Sequence, residues 1–328
     1  MEGRTVKFSA ILSVLGFGLA AVAPVAQAAD YPSRAIEWVV PYPAGGGTDI
    51  VARTLSEKMA KSLGQPIVIA NKPGAATAIG ASYVARAAAD GYVIGTGDTA
   101  TLAANPFLYS TLAYDPAEDF ASVGLMARFA MILVVNPSVP ANTYEEFLAW
   151  AKDQKDGVPY GTPGTGSPHH LATELFKQRT GLPLVHVPYK GAAPAVQDVM
   201  GGQVPFMFVD SATGQQYIAA GRLRALAVAS AERLDSLPET PTLIEMGLPA
   251  FEAYAWQGMV APKGTPAAAV DTLGKALRAA LEDADVLAKF KSMGLDATPS
   301  TPQEMADYAE AERQRWGEVI RAGGIKVE

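Results

Sequence analysis

Cysteine is absent from the 328 residues of the chain. This absence excludes disulfides, zinc–thiolate sites and thiol nucleophiles, and also the lipid-modified cysteine that tethers some exported proteins to a membrane. Histidine is scarce as well, because the chain has only three, and neither His-Glu-x-x-His nor the Gly-x-Ser-x-Gly elbow of hydrolases occurs. We therefore expect no metal site, no cofactor and no enzymatic activity.

Basic residues are in the minority, with 26 lysines and arginines against 33 aspartates and glutamates and a formal net charge of −7. Such an acidic balance argues against nucleic acid and against anionic membrane surfaces as partners. Glu2, Arg4 and Lys7 give residues 1–28 a charge of +1, so the remainder of the chain carries −8. An anionic ligand would therefore have to be attracted locally, by the groups of its own site.

Long uncharged apolar runs are missing, with one exception near the N-terminus. Residues 8–23 form such a run after a short basic start, and Pro24 and the small residues up to Ala28 follow it. This pattern is typical of a secretory signal peptide, so we predict a signal in residues 1–28, cleavage after about Ala28 and a periplasmic protein without membrane insertion after cleavage. The alternative is an uncleaved anchor, because about 20 apolar residues can span a bilayer. Pro24 and the small residues favour cleavage.

Short apolar segments alternate with amphipathic ones along the rest of the chain. Residues 36–40 are predicted to be a buried strand and residues 66–70 a second strand, on either side of a helix over residues 49–62, which makes a βαβ unit and indicates a parallel sheet. A similar alternation recurs at residues 78–96, where a helix is predicted as far as residue 89, and between residues 159 and 230. We predict an α/β fold in which helices flank mainly parallel sheets.

Two extended apolar segments interrupt this alternation. They cover residues 130–135 and 253–261, and we interpret both as crossovers between two lobes. The predicted first lobe comprises residues 29–130 plus 254–328, and the predicted second lobe comprises residues 131–253. A cleft between such lobes, at the carboxyl ends of parallel strands, is a favoured place for a small ligand.

A glycine-rich loop joins the first predicted strand to the first helix. It contains the candidate ligand-binding residues Tyr42, Ala44, Gly45, Gly46 and Thr48. Glycines let main-chain N–H groups converge on an anion, and the start of a helix adds about half a positive charge, which suits a carboxylate or a phosphate. The loop lacks the lysine of a P-loop, so a nucleotide is not expected. The alternative is a plain turn in which Thr48 caps the helix.

A second loop of the same design precedes a helix predicted from residue 168. Its candidate ligand-binding residues are Thr162, Gly164, Thr165, Gly166 and Ser167. Two such loops, one in each lobe, would close on the same ligand and hold one carboxylate or two. The alternative for each hydroxyl is a hydrogen bond within its own loop.

Polar residues at two other strand ends and one histidine complete the candidate set. Thr99 and Asp210 each follow a predicted strand, where Thr99 would donate to a carboxylate and Asp210 would accept from a ligand hydroxyl or amine. The alternative is that such residues cap the next helix. His170 would donate to the ligand, or it would serve only hydrogen bonding at the helix start or in the core. His169 points about 100° away from it on a helix, so the two make a poor metal pair.

Motifs from about residue 31 to the C-terminus resemble, in order, those of the solute receptors of tripartite tricarboxylate transporters, the Bug family. The matching segments include Val-Pro-Tyr-Pro-Ala-Gly-Gly at 40–46, Asn-Lys-Pro-Gly at 71–74, Ala-Asp-Gly-Tyr at 89–92, Gly-Thr-Gly-Ser at 164–167 and Val-Pro-Tyr-Lys-Gly at 187–191. The resemblance implies a two-lobed periplasmic binding protein fold with the ligand cleft between the lobes. It also implies that residues 42–48 and 162–167 hold a carboxylate through main-chain N–H groups and water, and that Thr99 and Asp210 lie where ligand preference differs.

The function that this resemblance implies is a monomeric periplasmic solute-binding receptor. Its expected partners are a small mono-, di- or aromatic carboxylate and the membrane subunits of a transporter. One alternative is a receptor that feeds a two-component sensor, and another is a hydrolase or isomerase that uses His170 with Asp210.

Two segments depart from the family pattern. Residues 75–77 read Ala-Ala-Thr where the family is usually richer in glycine, so we expect a stiffer loop there. Residues 209–211 read Val-Asp-Ser in place of the more usual Phe-Asp-Asn. The second departure lies where the distal part of a ligand is expected.

Overall fold

The computed structural model describes residues 1–3 and 31–327. The predicted signal peptide, residues 1–28, lies outside the described residues apart from its first three. Strands and helices alternate along residues 31–327, as the hydrophobic pattern predicts.

The strands of this part of the chain are β1 Ile36–Val40, β2 Ile67–Asn71, β3 Val93–Asp98, β4 Phe120–Val135, β5 Val158–Thr162, β6 Leu184–Pro188, β7 Phe206–Asp210, β8 Arg224–Val228, β9 Tyr254–Pro262 and β10 Asp296–Ala297. The helices are α1 Gly47–Leu63, α2 Ala78–Ala85, α3 Asn105–Leu108, α4 Tyr144–Lys152, α5 Pro168–Thr180, α6 Ala192–Met200, α7 Ser211–Ala219, α8 Ala267–Leu281, α9 Ala284–Ser292 and α10 Pro302–Gly323. A π-helical segment, Thr99–Ala104, precedes α3.

Local signals explain several helix ends. α1 and α5 each end at a glycine in the left-handed region, Gly64 with φ of 65° and Gly181 with φ of 68°. α10 begins with a capping box formed by Thr301 and Glu304. α2 ends at residue 85 instead of the predicted residue 89, with Arg86 as its C-cap, and the amide of Ala87 donates to the carbonyl of Val84 three residues earlier at 3.1 Å, which tightens the last turn.

Each lobe is built on a mixed sheet. In the first lobe, β1 pairs in parallel with β2 and β3, and β9 pairs antiparallel with both β3 and β4. In the second lobe, β5 pairs in parallel with β6 and β7, whereas β4 is antiparallel to β7 and β8. In each sheet three strands are parallel to one another, as predicted, and every antiparallel pair of strands involves β4 or β9.

β4 belongs to both sheets. Its 16 residues pair with β9 as far as Ala130 and with β7 from Met131 onward. The chain returns close by, since the carbonyl of Ala253 accepts from the amide of Met131 at 3.0 Å. The change of partner falls where a crossover is predicted, while the lobe limits of 29–130 plus 254–328 and 131–253 stay a prediction.

Three tryptophans lie in the core. Trp256 and Trp316 both donate from Nε1 to the same carboxylate oxygen of Glu312, at 3.1 and 2.8 Å, and Trp38 donates to the hydroxyl of Thr96 at 3.0 Å. Each buried indole N–H thus has a partner, so these large side chains add apolar burial without leaving a donor unsatisfied. Trp256 lies on β9, and this places it beside the cleft.

Within the described residues, no helix combines the length and the apolar character needed to cross a membrane. Residues 31–327 also contain no group of three or more histidine, aspartate and glutamate side chains placed to hold a metal ion.

Candidate functional site

The two lobes face each other across a cavity of about 680 Å³. The first lobe contributes the β1–α1 loop, the residues that follow β3 and part of β9. The second lobe contributes the β5–α5 loop and the starts of α6 and α7. Leu108, Phe129 and Trp256 supply apolar wall, and the loops add hydroxyl, amide and main-chain groups, which is the usual composition of a small-molecule site.

Four helices of nine residues or more, α1, α5, α6 and α7, begin at this cavity. α5 and α7 are capped by the side chains of Ser167 and Asp210, each of which accepts from an amide of the first turn. α1 and α6 begin after Gly46 and Gly191 without a side-chain cap. Their first N–H groups and positive dipole ends are therefore available to an anion in the cavity.

A buried carboxylate holds the β1–α1 loop in shape. Asp49 accepts from the amide of Gly45 at 2.8 Å, from Nε of Arg53 at 2.9 Å and from Nδ2 of Asn71 at 2.8 Å. Burial raises its pKa, but these hydrogen bonds outweigh burial and lower the pKa to about 2. The amide of Asn71 also donates to the carbonyl of Tyr42 at 3.0 Å, so the start and the end of the loop are fixed together.

Buried rings support the β5–α5 loop from behind. His170 is 3% exposed, and its Nδ1 accepts from the amide of Gly166 at 3.0 Å. Its ring stacks on that of His186 with 3.8 Å between centroids, and Nε2 of His186 lies 2.6 Å from the hydroxyl of Thr162. Burial lowers the pKa of His170 to about 3 and that of His186 to about 4. Both rings are therefore neutral at pH 7 and position the loop.

Protonation of these rings is expected to destabilise the fold in acid. The pKa of His170 is about 3 in the folded protein, below its unfolded value, so the unfolded state binds more protons between about pH 6.5 and pH 3. Stability is then full above about pH 6.5 and falls as the pH is lowered, by about 2 kcal/mol for this residue between pH 6.5 and pH 4.5. Urea unfolding at both pH values measures the loss.

The matched variant is His170→Asn, whose side-chain oxygen can still accept from the amide of Gly166 but does not titrate. Its free energy of unfolding should fall by about 2 kcal/mol less than that of the parent protein over the same pH interval. Glu145→Gln, which removes an exposed carboxylate on α4, should leave the pH dependence as it is. An identical slope in the parent protein and in His170→Asn would show that His170 does not couple folding to protons.

The polar side chains at the end of β3 and just after it mainly hydrogen-bond to other groups of the protein. Asp98 accepts from the amide of Thr101 at 2.8 Å, which caps the π-helical segment, and it also accepts from the hydroxyl of Tyr42. Burial raises the pKa of Asp98 despite these hydrogen bonds. The hydroxyl of Thr99 accepts from the amide of Trp256 at 3.2 Å, so its own proton is available to a ligand.

Asp210 lies at the start of α7 and contacts a histidine of the facing helix α5. One carboxylate oxygen accepts from the amide of Thr213 at 2.9 Å, and the other lies 3.1 Å from Nε2 of His169. Burial raises the pKa of Asp210, but the hydrogen bonds from His169 and Thr213 outweigh burial and hold the pKa below its usual value. Asp210 is thus an ionised helix cap that also orients the imidazole of His169.

Most of the predicted ligand-binding residues line the cavity, namely Tyr42, Gly46, Thr48, Thr99, Gly164, Thr165, Gly166, Ser167 and Asp210. The alternative that Thr48 caps α1 is wrong, because the helix begins at Gly47. The hydroxyl of Thr48 instead accepts from Nε2 of Gln257 at 2.9 Å. The alternatives for Ser167 and Asp210 hold at the same time as their place on the wall, because the hydroxyl of Ser167 donates to the carbonyl of Gly164 in its own loop at 2.7 Å and Asp210 caps α7.

Four predicted residues do not lie on the cavity wall: Ala44, Gly45, Thr162 and His170. The N–H of Gly45 turns towards Asp49, and Thr162 is buried against a histidine ring behind the second loop. His169, rather than His170, reaches the cavity, because the ring of His170 is enclosed by the packing described above. His170 does not pair with Asp210, so the residue pair of the predicted hydrolase alternative is not formed.

Sequence reasoning missed wall residues on strands and at one helix start. Gln257 lies on β9 directly opposite Asp98 of β3, and only the register of two distant strands brings them together. Trp256 enters the wall from the same strand, and Asn105 enters it from the start of α3. The sequence did contain a signal that could have identified Gly191 as a wall residue. Gly191 ends the family motif at 187–191, and α6 begins directly after it.

The loop over residues 75–77 is held in an unusual conformation. Ala75, Ala76 and Thr77 have φ of 46°, 45° and 78°, in the left-handed region that favours glycine. Asn105 compensates, because its amide donates to the carbonyl of Ala76 at 2.8 Å, and the hydroxyl of Thr101 hydrogen-bonds to that of Thr77 at 2.9 Å. The strained loop forms part of the cavity wall, which is where such strain is commonly found.

The fold and the cleft define a periplasmic binding protein. The chain is similar to the structure of R. palustris Rpa4515 with adipate, with 36% identity, a TM-score of 0.82 and coverage of 91% of this chain and 100% of that one. It is also similar to MatC from Rhodopseudomonas palustris with bound malate, with 33% identity, a TM-score of 0.77 and coverage of 88% and 100%. Both comparisons extend over the lobes and the cleft.

The sequence comparison assigns the family. The tripartite tricarboxylate transporter family receptor model, TctC, matches residues 51–325. Protein BugT of Bordetella pertussis is 35% identical over 320 residues, which cover 97% of this chain and 98% of that protein. The chain belongs to the tripartite tricarboxylate transporter receptor family, and the resemblance found in its motifs is confirmed.

Proposed function

We propose that this receptor captures a small carboxylate in the periplasm and delivers it to the membrane subunits of a tripartite tricarboxylate-type transporter. The observation that carries the proposal is the convergence of four helix N-termini on one cavity between the lobes. Backbone donors and helix dipoles stabilise an anion without a basic side chain, and no lysine or arginine lines the described cavity wall. The dicarboxylates in the two similar structures support the same ligand class.

One uncapped helix start lies in each lobe. α1 and α6 begin uncapped on opposite lobes, so a carboxylate bound between them links the two lobes. A ligand that contacts both lobes stabilises the closed arrangement by its difference in affinity for the closed and open states. Export of the chain and cleavage after about Ala28 place the monomeric receptor where it meets the solute before the transporter does.

The test is a thermal-shift screen followed by isothermal titration. The protein is first unfolded and refolded to remove any bound solute, and is then mixed with mono-, di-, tri- and aromatic carboxylates. We expect at least one acid to stabilise the fold, by about 2.7 kcal/mol at a concentration 100 times its dissociation constant. The matched control is the uncharged amide of the same acid, which should give no shift.

Two outcomes would contradict the proposal. Equal stabilisation by an acid and by its amide would show that the site does not select for the anionic group. Turnover of the bound acid during titration would indicate a hydrolase or isomerase. Delivery to the transporter is tested by uptake of the bound acid into vesicles that contain the membrane subunits, where uptake should require the receptor.

A further inference from the structure

Gln257 of β9 has a side-chain oxygen without a hydrogen-bond partner at the cavity wall. The side chain is 5% exposed and belongs to the wall. Its Nε2 donates to the hydroxyl of Thr48 at 2.9 Å, whereas Oε1 is buried and accepts from none of the described residues. A buried acceptor that stays unpaired is costly, and in a binding site it marks a contact that a ligand donor completes.

The side-chain donors around Gln257 are engaged elsewhere. The hydroxyl of Tyr42 donates to Asp98, which lies directly opposite Gln257 on the neighbouring strand. The preceding residue, Trp256, donates its indole N–H to Glu312 at 3.1 Å. A donor for Oε1 is therefore expected from the ligand.

Thr48 places this oxygen beside the proposed position of the ligand carboxylate. Thr48 is the second residue of α1, whose first N–H groups have no side-chain cap. Its hydroxyl accepts from Gln257, so its own proton is available to a carboxylate at the helix start. Nε2 and Oε1 belong to one amide group, and Oε1 is therefore close to the carbon that carries the carboxylate.

Among the small groups that this carbon can carry, a hydroxyl fits best. A hydrogen atom leaves Oε1 unpaired, and a carbonyl brings a second acceptor against it. An ammonium group also donates, but its charge needs an ionised acceptor of its own. Of the two carboxylates on the described wall, burial raises the pKa of Asp98, and both oxygens of Asp210 already have partners.

The second lobe presents a similar acceptor. Nε2 of His169 lies 3.1 Å from a carboxylate oxygen of Asp210, which only accepts, so the neutral ring carries its proton on Nε2. Nδ1 is then an acceptor, and it is buried without a partner in the part of the chain that the structure describes. Two buried acceptors on one wall, one from each lobe, indicate a ligand that brings hydrogen-bond donors besides its carboxylate.

We propose that the cleft selects a 2-hydroxycarboxylate, an acid with a hydroxyl group on the carbon next to the carboxylate, and that this hydroxyl donates to Oε1 of Gln257. The carboxylate binds at the start of α1, where the hydroxyl of Thr48 also donates to it. The inference rests on the proposed carboxylate-receptor function and specifies the class of acid. Gln257 is thus a specificity-determining residue.

Isothermal titration with matched acids tests whether the ligand supplies a donor. Each set contains one carbon skeleton as the unsubstituted acid, the 2-hydroxy acid, the 2-oxo acid and the 2-amino acid. Three skeletons cover the proposed mono-, di- and aromatic carboxylates, namely those of propionate, glutarate and phenylacetate. Lactate, 2-hydroxyglutarate and mandelate are the corresponding hydroxy acids, and each is titrated as its separate enantiomers.

In the set that binds most tightly, the hydroxy acid should bind at least about tenfold more tightly than the unsubstituted acid, as expected for one hydrogen bond to an otherwise unpaired buried acceptor. The oxo acid should bind no better than the unsubstituted acid, because its carbonyl only accepts. The amino acid should bind less tightly than the hydroxy acid. The two enantiomers should differ, since Oε1 lies on one side of the carboxylate.

Gln257→Met tests the residue itself. Methionine is nearly as long as glutamine but has no strong acceptor. We expect the affinity for the hydroxy acid to fall about tenfold, while the affinity for the unsubstituted acid stays within about threefold. The matched control is Gln303→Met on the exposed surface of α10, which should keep the preference. Urea unfolding without ligand checks that both variants fold, and if Gln257→Met does not, the matched acids in the parent protein decide alone.

An oxo acid that binds as tightly as the hydroxy acid would show that Gln257 presents its N–H group to the ligand, and would overturn the inference. So would a hydroxy acid that gains nothing over the unsubstituted acid, or an amino acid that binds more tightly than the hydroxy acid. Equal losses for the hydroxy and unsubstituted acids in Gln257→Met would show a merely structural role and overturn it as well. Failure of the proposed function looks different, because the parent protein would then bind none of these sets and no acid of the wider panel.

Discussion

Replacing Gly46 by leucine is expected to weaken the binding of every carboxylate by at least about a hundredfold, or ~2.7 kcal/mol, while the free protein remains folded. Gly46 precedes α1 and lies on the cavity wall with φ of −78° and ψ of 167°, an extended conformation that any residue adopts. A Cβ atom there would meet only the carbonyl of Pro43, at 3.7 Å. The added side chain therefore costs the fold little.

The loss in affinity comes from the position of the new leucine side chain. Leucine at position 46 would stand before the uncapped N–H groups of α1, where a carboxylate would otherwise bind, and the ligand would lose those hydrogen bonds. Because these groups would serve the carboxylate of any ligand, all acids should weaken alike.

Isothermal titration measures the affinities and urea unfolding measures the stability of the variant. The matched control is Ala268→Leu, which adds the same side chain on the exposed surface of α8 and should bind as the parent protein does. An affinity within a few-fold of the parent value for Gly46→Leu would place the carboxylate away from α1.

Replacing Gly166 by alanine is expected to lower both stability and affinity, by about 2 to 4 kcal/mol in the free energy of unfolding. Gly166 has φ of 78°, which alanine adopts only at a cost. A Cβ atom at this position would also lie 2.3 Å from Cδ1 of Leu108. Leu108 is 3% exposed, so it cannot move aside without disturbing its neighbours.

This contact joins the two sides of the cleft, because Gly166 belongs to the β5–α5 loop and Leu108 ends α3. A substitution that separates them disfavours the closed arrangement in which a ligand touches both lobes. We therefore expect the affinity for every acid to fall along with stability.

Leu108→Ala in the same chain separates the two causes. It removes the clash but leaves the strained φ, so Gly166→Ala should cost clearly less in the Leu108→Ala background than in the parent protein. Leu108→Ala alone is the reference for the cycle, since truncation of a buried leucine costs about 2 to 5 kcal/mol by itself. Equal costs of Gly166→Ala in both backgrounds would show that the contact with Leu108 is not the source of the effect.

The histidine pair shows where sequence reasoning stopped. His169 and His170 are adjacent, and their spacing indicates that they point in different directions but not which of the two reaches the ligand. His186, which stacks on His170, lies 16 residues further along the chain on β6, and the pairing of β6 with β5 brings it there. The direction of His170 was therefore decided by long-range packing.

The sequence by itself indicated the α/β fold, both glycine-rich loops and, as one of two alternatives, the helix cap at Asp210, because glycine conformations, caps and hydrophobic periodicity act within a few residues. The family motifs are local in the same sense. Tertiary structure alone decided that Gln257 lies opposite Asp98, that the start of α6 lines the cavity and that His169 contacts Asp210. These relations join distant parts of the chain, and strand register and lobe packing fix them.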